Sequence, residues 1–251
     1  MGRLDGRIAV VTGASRGIGL AIAHAYAREG ARVVMASRKE ADIAASAAQV
    51  NAAHPGMAVA RALHVGQVDA IPAWWDGVVR DVGVPTILVN NAGTNPYFGP
   101  MIGTEWAAWD KTFDVNVKGP FALSRALVQA LGGRPASIIC VSSVLGQRSA
   151  PLQGVYGMTK AALSSMVQTL AMELGPAGIR FNAIAPGVVD TRLAAALVND
   201  PTIHEMVTSR TALKRIAAPD EITGIALYLA SDESSYTTGQ TFAVDGGYLA
   251  A

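Results

Sequence analysis

The sequence predicts an α/β fold, a doubly wound parallel sheet of about seven strands with helices on both faces. Short apolar runs rich in β-branched residues alternate along the chain with longer, alanine-rich segments of helical period. The apolar runs are continuous, which indicates strands covered on both faces. We find no internal repeat, linker or change in composition, so residues 1–251 are interpreted as one domain.

The individual elements follow from this alternation. The predicted strands are Ile8 to Val11, Val33 to Met35, Val59 to Val65, Ile87 to Val89, Ile138 to Val141, Ile179 to Ile184 and Thr241 to Val244. The predicted helices are roughly Gly17 to Arg28, Glu40 to Ala53, Ala70 to Val82, Trp106 to Leu131, Leu152 to Leu174 and Asp220 to Ala230. Residues 188–218 fit the alternation least well and are interpreted as a substrate lid of loop and short helices.

Composition excludes several classes of protein. Hydrophobic residues make up 51% of the 251 residues and charged residues 16%, which argues against disorder. The net charge of +1 favours neither nucleic acid nor an anionic membrane, and no apolar run approaches the ~18 residues of a membrane span. The single cysteine, Cys140, excludes an internal disulfide and a cysteine metal cluster, and we expect no metal. The N-terminus lacks signal-peptide features, so we expect a cytoplasmic protein.

A glycine-rich loop follows the first strand. Residues 8–19 run from that strand through Gly13, Gly17 and Gly19 into a helix. Glycine permits a tight turn and close approach to a ligand, and a helix N-terminus presents free N–H groups to a pyrophosphate. The context therefore predicts a Rossmann-type dinucleotide loop, in which Ser15 suits a phosphate contact. The alternative is a glycine-rich turn without a ligand.

The end of the second strand predicts which dinucleotide binds. NAD-binding sheets place an acidic residue there, whereas an arginine suits the 2′-phosphate of NADP. Here the strand ends in Ser37 and Arg38, and Arg16 of the glycine loop can reach the same region. Guanidinium groups pair well with phosphate, and we expect no Asp or Glu there to oppose them. NADP(H) is favoured over NAD(H), unless Arg38 and Lys39 only solvate a helix start.

A tyrosine and a lysine suggest acid–base chemistry. Tyr156 and Lys160 lie four residues apart in a predicted helix, and hence on one face. A lysine ammonium about 4 Å away, at an effective dielectric constant of about 20, would lower the ordinary tyrosine pKa of ~10 by ~3 units. Such a phenol can act as a general acid or base near neutral pH. The pair alone is weak evidence, since many helices carry one on a solvated face.

Other polar motifs fall at predicted strand ends, where open parallel sheets bind ligands. They include Asn91, Ala92 and Gly93 after the fourth strand and Ser143 after the fifth. Together with the glycine loop, these motifs make the chain resemble the single-domain short-chain dehydrogenase/reductase family over essentially its whole length. The motifs that carry the resemblance are Thr12-Gly13-Ala14-Ser15-Arg16-Gly17-Ile18-Gly19, Asn90-Asn91-Ala92-Gly93, Asn116, Ser143, Tyr156-Gly157-Met158-Thr159-Lys160, Pro186-Gly187 and Val244-Asp245-Gly246-Gly247.

The resemblance implies roles for individual residues. Tyr156 would donate a proton in reduction and accept it in oxidation, and Lys160 would lower its pKa and bind the nicotinamide ribose. Ser143 would hydrogen-bond the substrate oxygen, and Asn116 would hold a water in a proton relay. Asn90 is interpreted as structural, tying adjacent strands together. The implied cofactor contacts are Gly13, Ser15, Arg16, Gly17, Ile18, Gly19, Ser37, Arg38, His64, Val65, Asn91, Ala92, Gly93, Tyr156, Lys160, Pro186, Gly187, Val189 and Thr191.

One motif departs from the family pattern, and this motif and the loop after the fourth strand bear on function. His64 stands where the family usually has an aspartate near adenine. His64-Val65-Gly66 and residues 95–99 are similar to the NADPH-dependent retinal and dicarbonyl reductase branch. Residues 95–100 form either one wall of the substrate pocket or plain packing. A 3-oxoacyl-(acyl-carrier-protein) reductase is the alternative, with Arg125, Arg134 and Arg148 as a docking patch. A third alternative is a non-catalytic NADP(H)-binding protein.

The resemblance also implies partners. We expect a small-molecule carbonyl or alcohol substrate, and no nucleic acid or membrane partner. Family members are commonly homotetramers, with long helices and the C-terminal strand at the interfaces.

Overall fold

A computed structural model of the protein describes residues 2–194, 198 and 201–250. Seven strands form one parallel sheet: β1 (Ile8–Thr12), β2 (Arg32–Ser37), β3 (Ala58–Ala62), β4 (Ile87–Asn90), β5 (Ala136–Val141), β6 (Ile179–Pro186) and β7 (Thr241–Val244). Their order is β3-β2-β1-β4-β5-β6-β7. The predicted fold class is confirmed. The order reverses between β1 and β4, the point at which open α/β sheets form a ligand crevice.

Helices connect the strands and cover the sheet. They are α1 (Gly17–Arg28), α2 (Glu40–Ala53), α3 (Ile71–Val82), α4 (Trp106–Phe113), α5 (Gly119–Ala130), α6 (Gly154–Leu174), α7 (Pro201–Ser209) and α8 (Thr223–Ala230). Within the described ranges, no helix combines the length and the apolar character needed to cross a membrane.

The core has two layers, one on each face of the sheet. Alternate residues of β1 face opposite layers: Ala9 and Val11 pack in one and Val10 in the other. Helices α1, α2 and α8 cover the first face, and α3, α5 and α6 cover the second. The inner strands β1, β2, β4, β5 and β6 are largely buried on both faces, which explains why their apolar runs are continuous rather than alternating.

The predicted helix from Trp106 to Leu131 is wrong in one respect. A π-helical turn, Asp114–Lys118, separates α4 from α5. It carries Asn116, whose buried side chain hydrogen-bonds the backbone of Thr94 in a distant loop. A tertiary contact therefore accompanies the irregular turn, and π turns of this kind often occur at functional sites.

Other boundaries also differ from those predicted, including the start of α8, which lies at Thr223 rather than Asp220, the end of β3 and the start of α6. Strand β3 ends at Ala62, although the Leu63 N–H still bonds the Ser37 carbonyl at 2.9 Å. Helix α6 begins at Gly154 because Leu152 has a left-handed backbone with a φ of 70°.

The predicted lid lies only partly within the described structure. The segment contains a short 3₁₀ turn, Arg192–Ala194, and helix α7. Residues 195–197 and 199–200, which belong to the predicted lid, lie outside the described residues. The lid therefore remains a prediction.

Candidate active site

The glycine loop leaves β1 and enters α1. Gly13 and Gly17 have φ values of 65° and 55°, a conformation that disfavours other residues. A Cβ at Gly19 would lie 2.5 Å from both the Gly13 carbonyl oxygen and Asn91 Nδ2. Arg16 precedes α1 without capping it, and the first turn of α1 contains no acidic residue. The first N–H groups of the helix are therefore open to an anion such as a pyrophosphate.

Hydrogen bonds join the ends of β1 and β4, where the strand order reverses. Thr12 Oγ1 accepts hydrogen bonds from the backbone N–H groups of Asn91 and Ala92, both at 3.0 Å. Asn91 Nδ2 in turn donates to the Thr12 carbonyl at 2.8 Å. The side chain of Asn91 thus holds the glycine loop. Sequence reasoning missed Thr12, although its position directly before Gly13 was a usable signal.

Asn90 contacts the neighbouring strand and helix, as its structural interpretation predicted. Its Nδ2 donates to Ser124 Oγ at 3.2 Å and lies 3.8 Å from the sulfur of Cys140. Burial raises the pKa of the Cys140 thiol to about 12, so this cysteine is a poor nucleophile.

The end of β2 approaches the glycine loop. The hydroxyl oxygens of Ser15 and Ser37 lie 3.1 Å apart, and Arg38 is exposed beside them. Asp42, in the first turn of α2, places its carboxylate 3.9 Å from the guanidinium of Arg16. The expectation that no Asp or Glu would lie in this region is therefore wrong. Asp42 lies five residues beyond Ser37, the last residue of β2, and α2 brings it back to the loop.

The residues after β3 lie at the same edge. Val65 is buried, and a Cβ at Gly119 would lie 2.6 Å from its carbonyl oxygen. The half-buried His64 accepts a hydrogen bond at Nδ1 from the N–H of Gly66, 3.2 Å away. Its Nε2 has no described protein partner, which suits the predicted position beside adenine.

Lys160 lies inside the protein, at the end of β5. Its Nζ donates to the Val141 carbonyl at 2.8 Å, and only 3% of the residue is exposed. Ser142, the residue directly after β5, donates from its hydroxyl to the Lys160 carbonyl at 2.9 Å. Burial lowers the pKa of Lys160 to about 8. Lys160 can therefore gain or lose a proton at a pH close to neutral.

Tyr156 lies on the same face of α6. The Lys160 Nζ is 5.4 Å from the centroid of its ring. Burial of the hydroxyl raises the Tyr156 pKa to about 12, and a hydrogen bond with Ser143 partly opposes this. The Ser143 Oγ also accepts from the N–H of Leu145 at 3.1 Å.

The expected depression of the Tyr156 pKa is thus not found. The reason is that Lys160 directs its ammonium to the Val141 carbonyl, so desolvation of the phenol outweighs the cation. The phenol stays protonated at neutral pH in this geometry. Tyr156, Lys160 and Ser143 lie close together, as expected. The expected lowering of the Tyr156 pKa by Lys160 is not found.

Asn116 lies beside this cluster. Its Oδ1 accepts from the Thr94 N–H at 2.8 Å, and its Nδ2 donates to the Thr94 carbonyl at 2.9 Å and to Thr159 Oγ1 at 3.0 Å. Gly93 lies close to both Asn116 and Lys160. A Cβ at Gly93 would be 3.7 Å from Asn116 Oδ1 and 3.7 Å from Lys160 Nζ. Gly93 is itself exposed, so both side chains lie close to the surface of the crevice.

The segment after β6 closes the other side of the crevice. Pro186 pairs with Val244 of β7, and a Cβ at Gly187 would lie 2.9 Å from the Asp245 Cα. Val189 forms a bridge to Ala217. The segment then returns to the glycine loop, since a Cβ at Gly17 would lie 3.1 Å from Thr191 Cγ2. Ile18 packs on the first core layer, at the start of α1.

The fold and the site together define a class: a doubly wound dinucleotide-binding domain with a Tyr-Lys-Ser cluster beside its glycine loop. Residues 13–249 match a family profile described as Enoyl-(Acyl carrier protein) reductase. The chain belongs to the short-chain dehydrogenase/reductase family and is an oxidoreductase of about 250 residues.

Known relatives agree with this assignment. Dehydrogenase/reductase SDR family member 4 of Bos taurus is 36% identical over 248 residues, which cover 98% of this chain and 88% of the relative. The protein of the same name from Caenorhabditis elegans is 35% identical over 254 residues, 99% of this chain and 97% of the relative.

Solved structures are similar over the whole chain. A gluconate 5-dehydrogenase from Burkholderia cenocepacia, solved in complex with NADP and tartrate, superposes with a TM-score of 0.95 at 33% identity, covering 99% of this chain and 97% of that one. A short-chain type dehydrogenase/reductase from Mycobacterium marinum has a TM-score of 0.93 at 33% identity, with the same coverage.

Proposed function

We propose that the protein reduces a small-molecule carbonyl compound with NADPH, and that Tyr156 is the proton donor. The observation that carries the proposal is the meeting of Tyr156, Ser143 and Lys160 at the carboxyl ends of strands that also hold the glycine loop. Positioned hydroxyl groups and a dinucleotide loop at one sheet edge are the requirements of hydride transfer to a carbonyl.

The chemistry of the chain's own residues follows from their pKa values. The nicotinamide, when bound, supplies the hydride. Ser143 donates a hydrogen bond to the substrate oxygen, and Tyr156 transfers its proton to that oxygen as negative charge develops there. A phenol with a pKa of about 12 is protonated at neutral pH, which is the state needed to donate a proton in reduction.

Lys160 would return a proton to the deprotonated phenol, and a water held by Asn116 would pass a replacement proton from solvent to Lys160. With a pKa of about 8, Lys160 can both hold and release a proton near neutral pH. Its Nζ and Asn116 Oδ1 both lie close to Gly93, which suits a proton path towards solvent. The nicotinamide ribose would bind beside Lys160, with Pro186, Gly187, Val189 and Thr191 against the nicotinamide.

Three observations support NADP(H) as the cofactor. Arg38 is exposed at the end of β2, and Ser15 and Ser37 present hydroxyl groups beside it. The carboxylate of Asp42 lies 3.9 Å from the guanidinium of Arg16, which leaves the exposed Arg38 to contact a 2′-phosphate. The similar gluconate 5-dehydrogenase was solved with NADP.

The function is tested with two tyrosine variants and a panel of carbonyl substrates. Tyr156→Phe should lower kcat for NADPH-dependent reduction by at least ~100-fold, because general acid catalysis contributes that much, while NADPH affinity changes little. Tyr236→Phe, at a fully exposed tyrosine, is the matched control and should keep wild-type activity. Equal turnover in both variants would contradict the assigned role of Tyr156.

The same panel distinguishes the alternatives. Aldehydes, ketones, diketones and 3-oxoacyl thioesters are compared with NADPH and with NADH. The basic docking patch that an acyl-carrier substrate needs receives little support: Arg134 bonds the Leu131 carbonyl and Arg148 lies 5.7 Å from the ring centroid of Tyr248. NADPH binding without turnover of any substrate would favour the non-catalytic alternative.

We further propose that the chain forms a homotetramer in the cytoplasm. Large apolar side chains are exposed on α4, α5 and α6: Trp106 is 76% exposed, Phe121 48% and Met172 81%. A second copy of the chain would remove this apolar surface from water. Light scattering of the purified protein tests the assembly.

A further inference from the structure

Residues 186–191, the nicotinamide wall, begin at the end of β6 and are held from two sides. On one side, the Gly187 N–H donates to a carbonyl of β7 at 3.0 Å. On the other side, the Ala217 N–H donates to the Val188 carbonyl at 3.1 Å, and the Ala217 carbonyl accepts from the Asp190 N–H at 2.9 Å. The position of Ala217 therefore decides where the second half of the nicotinamide wall runs.

Ala217 belongs to none of the seven strands and eight helices described above, so other contacts must fix its position. Its methyl group packs against the first core layer. The carboxylate of Glu221 accepts a hydrogen bond from the N–H of the next residue, Ala218, at 2.9 Å. The same carboxylate accepts two hydrogen bonds from the guanidinium of Arg215, at 2.6 and 2.7 Å. Three N–H groups on one carboxylate thus close the chain around Ala217 into a loop.

The backbone directly before this loop is strained. Lys214 has a left-handed conformation with a φ of 54°, which is costly for a residue other than glycine. Its Nζ donates to the Ser209 carbonyl at 2.7 Å, and the neighbouring Leu213 N–H donates to the Gly246 carbonyl at 3.1 Å. Such strain persists where the surrounding structure over-determines it. The direction in which the chain enters the loop at Arg215 is therefore closely specified.

The ion pair of Arg215 with Glu221 is well suited to fix a position and poorly suited to stabilise the fold. The two side chains are 52% and 40% exposed, and exposed ion pairs contribute little to the free energy of unfolding. Their bidentate geometry, however, specifies direction as well as distance. The guanidinium, and after it the Ala218 N–H, lower the pKa of Glu221 to about 2, so the carboxylate stays charged at every pH at which the protein would work.

We infer that Arg215 and Glu221 are positioning residues for hydride transfer, which act through Ala217 to hold the nicotinamide wall against the cofactor ring. The inference rests on the proposed NADPH-dependent reduction, in which this wall contacts the nicotinamide. Loss of the ion pair should therefore weaken binding of the nicotinamide half of the cofactor and spare the adenosine half. A merely structural role would lower stability without separating the two halves.

The test compares NADPH with 2′,5′-ADP, which carries the adenosine and the 2′-phosphate but no nicotinamide. The Kd of each ligand, kcat with the best carbonyl substrate of the panel and the thermal midpoint are measured for Glu221→Ala and Arg215→Met. Arg7→Met is the matched control, because Arg7 also forms an ion pair, with Asp232 at 2.7 Å, but lies directly before β1, at the edge of the sheet opposite the crevice. The thermal midpoint reports whether each variant is folded.

Glu221→Ala should raise the Kd for NADPH about fivefold, the loss of one hydrogen bond, and lower kcat at least about tenfold as the nicotinamide shifts from the reacting carbonyl. The Kd for 2′,5′-ADP should change less than about twofold.

Arg215→Met keeps the Glu221 bond to Ala218, so it should act in the same direction with a smaller effect, and it carries the test if Glu221→Ala does not fold. Arg7→Met should leave kcat and both Kd values unchanged. A ratio of the two Kd values that stays at its wild-type value in the folded variants would overturn the inference while leaving the proposed function intact. Absence of NADPH-dependent turnover of every panel substrate by the wild type would overturn both.

Discussion

Replacement of Lys160 by methionine should abolish activity and yet change stability in a pH-dependent way that favours the variant near neutral pH. Burial lowers the pKa of Lys160 from 10.5 to about 8. The unfolded chain therefore binds a proton more tightly than the folded protein. Each pKa unit corresponds to about 1.4 kcal/mol, so the buried ammonium costs about 3 kcal/mol of stability below pH 8.

The sign of the pH dependence follows from the same shift. Between about pH 8 and pH 10.5 the unfolded state holds the lysine proton and the folded state has released it, so the wild-type stability rises with pH. Lys160→Met lacks this contribution. Its stability advantage over wild type should therefore shrink by about 2 kcal/mol between about pH 7 and about pH 9.5. The lost bond to the Val141 carbonyl costs about 1 kcal/mol at either pH and cancels in the comparison.

Urea unfolding followed by circular dichroism at the two pH values measures this difference. Lys111→Met is the matched control, because Lys111 is exposed on α4 and its removal should not alter the pH dependence. A stability difference between Lys160→Met and wild type that stays constant with pH would refute the claim that a charged lysine is buried at a cost.

Two further substitutions test the nucleotide site. Gly19→Ala places a Cβ 2.5 Å from the Gly13 carbonyl oxygen, so it should destabilise the fold by about 1–3 kcal/mol and weaken NADPH binding, whereas Gly224→Ala, with open space around it, should be neutral or stabilising in thermal unfolding. Arg38→Ala should raise the Kd for NADPH at least about tenfold and leave NADH nearly unchanged, with Arg32→Ala at the opposite end of β2 as control. Unaltered NADPH affinity in Arg38→Ala would place the 2′-phosphate elsewhere.

Much of the fold follows from local rules that the sequence displays. Helices α1 and α2 have the predicted bounds, because glycine and a strand end mark the start of each and a turn follows each. The inner strands were recognisable because burial on both faces demands continuous apolar runs. Most candidate site residues could be proposed from the sequence because the carboxyl ends of parallel strands share one edge.

The errors arise where distant residues decide the local structure. The π turn at Asn116 is accompanied by bonds to Thr94, twenty-two residues away, which no periodicity reveals. The ion pair of Arg16 with Asp42 depends on how α2 packs on the glycine loop. The direction of the Tyr156 pKa depends on which oxygen the Lys160 ammonium contacts, and spacing along a helix does not determine that contact.

The buried lysine and the π turn are connected features of one site. Lys160 Nζ and Asn116 Oδ1 both lie close to Gly93. The buried lysine and the π turn are also both features that stability alone would not favour. A charged group in the interior is costly unless a partner compensates it, and here its partner is a neutral carbonyl. An irregular helical turn likewise gives up regular hydrogen bonds. Local instability of this kind persists when surrounding structure over-determines it, and the fully buried β5 and the hydrogen-bonded Thr94 loop supply that support. Substitutions at Lys160 that stabilise the fold while removing turnover are the expected consequence of this arrangement.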